Sequence, residues 1–417
     1  MRHLSADDPQ VARIIEQEKN RLENTLDLIA AESYPPESIL EAQGSVFSIK
    51  AAEGYPGNRF HAGCGFSDEL ETLAVSRAKT LFGAEHANVQ PHSGVSANLA
   101  VYFSVLDTGD PVLSMKLSHG GHLSHGDPAS ITHKCFKFHH YSIDPESERI
   151  DYNQIARSAL QIKPRMIVAG ASSYSRLIDY EKMAEIANTC NAMLLVDMAH
   201  IAGLVAARVI PSPVPVSDFV TFTTYKTLMG GRGGVILCKE KYRAKLNRAI
   251  FPGAQGTTAL NTIAAKAVCF KLAMESDFID TQKRILKNAV CAGETFAEKG
   301  YRLVSGGTDN HMVLLDLRSK GLTGRQAEAI LESVGIVVNR NVIPYDPENT
   351  MTTSGLRLGF SIAAARGMGS SEVRQIVDLI DRALTGSDRP EMLEKVAEAV
   401  KELCKKFPYY SAESEAV

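Results

Sequence analysis

Two polar residues at the ends of apolar runs carry the first chemical signal. In Ala192-Met-Leu-Leu-Val196-Asp197 an apolar run ends in an acid. Twenty-nine residues on, Phe222-Thr-Thr-Tyr225-Lys226 sets an amine after a β-patterned run and before the glycines of Gly230–Gly234. A buried carboxylate is costly unless it meets a cation, and open α/β sheets receive ligands at the carboxyl ends of their strands. Singly, Asp197 reads as a strand-end cap for the next helix and Lys226 as a solvated surface residue. As a pair they suit a pyridoxal-phosphate site, in which the lysine forms a Schiff base and the acid keeps the pyridinium nitrogen protonated, so that the ring accepts electrons from a bond breaking at Cα. A phosphate needs backbone N–H donors. Pro91-His-Ser93-Gly94-Val95-Ser96-Ala-Asn98 opens a helix running to about Leu106, with a good N-cap and a glycine that permits close approach; a structural cap explains the same residues equally well. Leu117-Ser-His119-Gly-Gly-His122-Leu-Ser-His125 spaces three histidines by three. Its glycine pair weakens a rigid ligand set, so no metal is expected, and an imidazole stacked on a cofactor ring is the better use.

The elements that must position these residues follow from periodicity. Residues 9–30 read as an amphipathic helix, with Val11, Ile14, Ile15, Leu22 and Leu26 on one face. Glu53 to Gly65 is too irregular for helix or strand. Short apolar segments at 111–115, 165–169, 192–196, 219–223 and 234–238 alternate with helical spacing, which argues for a largely parallel sheet covered by helices. Beyond residue 285, helices at 285–299, 323–334 and 371–385 flank strands at 301–305, 311–317 and 335–338. The expected organisation is an N-terminal arm and interface segment (1–65), a large cofactor-binding domain (66–284) and a smaller α+β C-terminal domain (285–417). The polar end, Tyr409 to Val417, is expected to fray.

Composition narrows the partners. The 417 residues are 44% hydrophobic and 22% charged, with a net charge of −3. No basic patch or charged tail argues for nucleic acid or an anionic membrane. Seven cysteines without a CxxC pair fit a reducing compartment. The first residues turn acidic and reach Pro9 before any apolar run, unlike a signal peptide, and no stretch approaches the roughly 20 apolar residues of a membrane span. A cytoplasmic protein acting on small molecules is expected.

Taken together the motifs resemble the serine hydroxymethyltransferase family over most of the chain. The matching blocks are Leu-Glu-Ala-Gln-Gly-Ser at 40–45, Ala52-Glu-Gly-Tyr-Pro-Gly57, Ala87-Asn-Val-Gln-Pro-His-Ser-Gly94, Gly120-Gly-His-Leu123, Val196-Asp-Met-Ala-His-Ile-Ala-Gly-Leu-Val205 and Ser305-Gly-Gly-Thr-Asp-Asn-His311. The resemblance implies the aspartate-aminotransferase fold (fold type I), with a mixed, mostly parallel seven-stranded sheet. It implies Lys226 as the covalent cofactor lysine, Asp197 as the pyridinium partner, His122 stacked on the ring, and Ser93, Gly94, Val95, Gly256 and Thr257 around the phosphate. Ser172 and His200 would contact the cofactor's 3-oxygen, Arg357 would clamp the substrate carboxylate, and Glu53 would be the acid/base of hydroxymethyl transfer. Leu117, Gly121, Leu123 and Asn341, with Glu53, match the family's pterin positions, implying tetrahydrofolate as co-substrate. The site would form between two subunits, with residues 51–61 and 253–258 arriving from the partner of a homodimer, or within a tetramer.

The departures from the family cluster in the site. Ala31 and Ser33 flank Glu32 where Ser and Asn are usual, Ala51 replaces a Tyr two residues before Glu53, and Phe60-His61 replaces a Tyr pair at the folate surface. Tyr225 stands for the His before the cofactor lysine, Met229-Gly-Gly231 for Arg-Gly-Pro, and Thr257 for a Gly. Ala31 and Ala51 would leave a larger, less polar substrate pocket. Three functions are compatible: folate-dependent hydroxymethyl transfer to glycine or to a variant acceptor such as alanine; folate-independent aldolase or transaldolase chemistry; and a non-catalytic, cofactor-binding paralogue.

Overall fold

Seven short segments between residues 86 and 238 form one sheet in the computed structural model, which describes residues 2–410. They are β1 (His86–Asn88), β2 (Pro111–Met115), β3 (Lys137–Tyr141), β4 (Met166–Ala169), β5 (Met193–Asp197), β6 (Phe219–Thr223) and β7 (Gly234–Cys238), in the order β1-β7-β6-β5-β4-β2-β3. All neighbours are parallel except β7, which runs antiparallel to β1 and β6. β4 and β6 are buried at every residue, as expected of central strands covered on both faces. The register pairs Leu195, Val196 and Asp197 with Phe219, Val220 and Thr221. That brings Asp197 and the Lys226 turn to the same carboxyl edge of the sheet.

A second, antiparallel sheet contains β8 (Arg302–Leu303), β9 (Met312–Asp316), β10 (Asn339–Asn341) and β11 (Gly355–Gly359), in the order β8-β9-β11-β10. Its core includes Val313, Leu315, Leu356, Leu358, Ile376 and Ile380, together with Leu26 and Leu28 from near the chain start. The helix Ser276–Glu298 lends Ile285 to the first core and Ala289, Ala292 and Phe296 to the second.

The local differences from expectation have long-range causes. The first long helix is Pro9–Asn24, capped by the Asp8 carboxylate on the N–H groups of Gln10 and Val11. It stops short of residue 30 because Leu26–Asp27 pairs in parallel with Ile336–Val337, a partner that local periodicity cannot see. The segment 53–65 contains a two-residue hairpin pairing, Gly54–Tyr55 with Asn58–Arg59. The helix expected from 285 begins at Ser276, and the strand expected at 301–305 is confined to Arg302–Leu303 because Ser305 turns at φ +59°. A further helix, Pro390–Lys406, packs Val396, Val400 and Leu403 into the second core. Tyr409 and Tyr410 are docked rather than frayed. Their rings lie 3.8 and 5.5 Å from that of Tyr34, and Tyr410 donates to Pro35 O at 3.0 Å; residues 411–417 lie outside the described residues. No helix among the described residues is long and apolar enough to cross a membrane.

Candidate active site

A cavity opens at the carboxyl ends of β4, β5 and β6. It is lined by Ser93, Gly94, Val95, His122, Ser172, Asp197, His200 and Lys226, and also by His125, Thr223 and Tyr225. Eight residues expected from the sequence therefore converge.

The helix Gly94–Val105 points its N-terminus into this cavity. Ser93 caps it: Ser93 Oγ accepts from Ser96 N at 3.1 Å, and Ser96 Oγ accepts from Ser93 N at 2.9 Å. The first-turn N–H groups of Gly94 and Val95 have no preceding helical carbonyl to bond. A Cβ on Gly94 would lie 2.8 Å from the Thr223 methyl, and one on Gly234 only 2.1 Å from Ser93 O. Both glycines are needed for this close packing.

Asp197 accepts from Asn98 Nδ2 at 2.8 Å and from His125 Nε2 at 3.0 Å on one oxygen, and from Ala199 N at 3.0 Å on the other. Burial alone would raise its pKa, but the His125 and Asn98 donors with the nearby His122 win and hold the carboxyl well below the usual range. Thr221 Oγ1 donates to Asn98 Oδ1 at 2.6 Å, which fixes the amide with its N–H toward Asp197. Asn98 and His125 were not assigned roles from the sequence. Asn98 was findable, because four residues after Gly94 is the next turn of the same helix face.

The three spaced histidines part company. His119 accepts from Ile143 N at 3.2 Å and its ring lies 4.6 Å from that of Tyr345. Donor atoms of His122, His125 and Asp197 lie within 4.8 Å of one another, but these groups already serve internal bonds. His125 gives its N–H to Asp197, and His122 Nδ1 accepts from Ser124 N at 3.2 Å. Burial pulls the His122 pKa down to about 4, leaving a neutral ring on the cavity wall at neutral pH.

Lys226 follows β6 on a tight turn: Met229 N donates to Lys226 O at 2.9 Å and Gly230 N to Thr224 O at 2.7 Å. Only 7% of the residue is exposed. Burial, opposed by Asp197 and aided by Arg357 and Arg232, brings the amine's pKa down to about 8. A buried amine in that range supplies a neutral nucleophile near neutral pH.

Arg357, on β11, bonds Ser172 O through Nη1 at 2.6 Å and Asn339 Oδ1 through Nε at 3.2 Å. Burial lowers its pKa to about 10, so it stays charged at neutral pH, and no carboxylate among the described residues pairs with it. His200 meets His311 at 3.3 Å, and His311 Nε2 lies 3.1 Å from Ala30 O, beside Ala31. Burial depresses both imidazole pKa values. Ser33 Oγ donates to Tyr225 O at 3.0 Å, and the Arg232 guanidinium lies 4.5 Å from the Tyr225 ring. Two of the substituted positions are thus in direct contact.

Other expected residues lie elsewhere within one chain. Ala51, Glu53, Phe60, His61, Gly256 and Thr257 do not line the Lys226 cavity. They keep company with one another: Thr257 Oγ1 accepts from Ala52 N at 3.2 Å, and Glu53 Oε1 lies 3.8 Å from where a Gly256 Cβ would stand. Phe60 is 73% exposed, its ring edge-on to Phe251 at 5.5 Å. Leu117 and Leu123 are exposed, Gly121 is buried against Met115 O, and Asn341 is half-buried on β10.

The sheet, its cavity at the carboxyl edge and the second antiparallel layer make this a fold type I enzyme of the pyridoxal-phosphate class. The family model for serine hydroxymethyltransferase matches residues 4–380, and the chain belongs to the serine hydroxymethyltransferase family, whose members carry out pyridoxal-phosphate-dependent hydroxymethyl transfer.

Proposed function

We propose that this chain is a pyridoxal-phosphate-dependent hydroxymethyltransferase that makes or breaks the Cα–Cβ bond of a β-hydroxy-α-amino acid, with tetrahydrofolate as one-carbon carrier. The amino-acid pair is serine and glycine or an α-methylserine and alanine type. The observation that carries this reading is the gathering of three largely buried groups: an amine with pKa near 8 and a carboxylate held ionised on the cavity wall, and behind them a guanidinium bonded to the carbonyl of the cavity residue Ser172, with no carboxylate partner among the described residues. The cavity fits the cofactor in donor set as well, with a helix N-terminus for the phosphate and a neutral imidazole on the wall.

When bound, pyridoxal phosphate supplies an electron sink next to the substrate's α-carbon. Lys226 would hold it covalently, Asp197 would keep its ring nitrogen protonated, and Ser93, Gly94 and Val95 would seat its phosphate. His122 would lie against the ring, with Ser172 and His200 toward the 3-oxygen. Arg357 would take the substrate carboxylate in a bidentate grip and so fix the orientation of the substrate's α-carbon. Glu53 would move the proton of hydroxymethyl transfer. Its place outside the single-chain cavity supports a homodimer in which the partner's residues 51–61 and 253–258 complete each site. Exposed Ala51 and half-buried Ala31 favour an acceptor with an α-substituent. The alternative, a folate-independent aldolase or transaldolase, is favoured by Phe60 packing on Phe251 and by His61 in place of an aromatic folate platform.

The test mixes the holoenzyme with glycine or D-alanine, each with and without tetrahydrofolate, and records long-wavelength absorbance. A band that grows sharply with tetrahydrofolate is expected, larger with D-alanine if the enlarged pocket sets the acceptor. A glycine band indifferent to folate would move the assignment to aldolase chemistry. Site sharing has its own expected result. Glu53→Gln and Lys226→Gln, each inactive alone, should regain about a quarter of wild-type activity when mixed and allowed to exchange subunits, because half the dimers are mixed and each has one intact site of two. Absence of recovery, with exchange demonstrated, would place Glu53 and Lys226 of one chain in the same site.

A further inference from the structure

Lys266 has no part in the chemistry above and does not line the cavity. It sits within the helix Leu260–Leu272, 1% exposed, and its Nζ donates to Val89 O at 2.6 Å and to Pro91 O at 3.0 Å. Lysines are almost never so deeply buried without a paired charge. The acid that acts on it is Glu71, already engaged by Arg59 and by Gln90 Nε2 at 2.8 Å. Burial brings the Lys266 pKa down to about 7. A neutral amine and an ammonium both have enough N–H groups for the two carbonyls.

The segment it grips leads from β1 straight into the Ser93 cap. Gln255 braces the same stretch, with its amide donating to Gln90 O at 3.0 Å and accepting from His92 N at 3.0 Å, while Gly234 N donates to Pro91 O at 3.0 Å. The lysine stem also packs on the turn after Lys226, where a Cβ on Gly233 would fall 2.3 Å from Lys266 Cε. One side chain therefore touches both backbone segments that adjoin cavity residues, the approach to Ser93 and the glycine turn after Lys226.

We infer that Lys266 is a positioning residue for the phosphate seat: by holding the carbonyls of Val89 and Pro91 it sets the direction in which Ser93, Gly94 and Val95 present their N–H groups to a phosphate. The inference rests on the cofactor reading above. Removing the amine takes from the Val89 carbonyl the donor it has in Lys266 and leaves the Pro91 carbonyl with Gly234 N alone, at a cost large enough to shift the segment. The loss falls on recognition of the phosphate and not on the covalent link at Lys226.

The experiment compares wild-type apoenzyme with Lys266→Met, measuring affinity for pyridoxal 5'-phosphate and for unphosphorylated pyridoxal, and the Tm shift given by inorganic phosphate. The variant is expected to lose about tenfold in affinity for the phosphorylated aldehyde, to keep its affinity for pyridoxal, and to lose the phosphate-induced Tm shift. A loss equal for both aldehydes, or no loss, would overturn the assignment, since a merely structural lysine would not discriminate between them. Lys266→Gln carries the same comparison should the Met variant not fold. A wild type that ignores pyridoxal phosphate would sink the cofactor reading, whereas the phosphate-induced Tm shift would still decide the role of Lys266.

Discussion

Asp197→Asn is expected to lower kcat about a thousandfold with the cofactor still bound, a loss of roughly 4 kcal/mol of transition-state stabilisation. The carboxylate takes three donors, Asn98 Nδ2 and His125 Nε2 on one oxygen and Ala199 N on the other. An amide in its place must aim an NH2 at one of these sets. Asn98 cannot turn over to receive it, because Thr221 Oγ1 already donates to its oxygen at 2.6 Å. More important, on the role proposed for Asp197 the neutral amide would give up the negative charge that holds a pyridine nitrogen protonated, and with it the electron sink that pyridoxal phosphate would supply. The measurement is steady-state kcat together with cofactor content by absorbance. A variant with full cofactor and wild-type kcat would remove Asp197 from the role assigned to it.

The second large effect belongs to Arg357. Its replacement by Ala should raise KM for the amino-acid substrate on the order of a thousandfold, corresponding to about 4 kcal/mol for the missing half of a desolvated charge pair. Arg357→Lys should recover part of this, because an ammonium keeps the charge but not the planar fork. The pH dependence follows from the same burial. The guanidinium's pKa is lowered to about 10, so the charged form persists throughout neutral pH and is lost as pH rises through that value. Wild-type KM should therefore climb as pH approaches and passes 10, and the Ala variant should show no such limb. In stability terms the buried charge weighs against folding in the empty site below that pH, and a carboxylate ligand offsets it. Glycine should accordingly raise the Tm of the wild type and not of the Ala variant.

The sequence was most informative where one residue type does one job at the end of one element. Asp197 closes β5, Lys226 follows β6, and Ser93 opens a helix, and all three lie at the same edge of the sheet. The partners that orient them were less visible. Asn98, His125 and Thr221 come from a helix, a turn and a strand that meet only after the sheet has formed, and each residue type alone has many ordinary uses. The strands were legible from apolar runs bounded by turns. The length of the first helix was not, because its end is set by pairing of Leu26–Asp27 with Ile336–Val337. Glu53, Phe60 and Thr257 belong to the family pattern, yet within one chain they do not line the Lys226 cavity, a separation that motif matching cannot reveal because it carries no distances.

The helix Ser276–Glu298 has a consequence for how the molecule comes apart. It plugs Ile285 into one core and Phe296 into the other, and a helix is lost or kept largely as a unit. Melting either core tears a strut from its neighbour, so heat or denaturant should dissolve both in a single cooperative step. Severing the chain near residue 284 would yield two fragments, each missing part of a shared beam, instead of two stable halves.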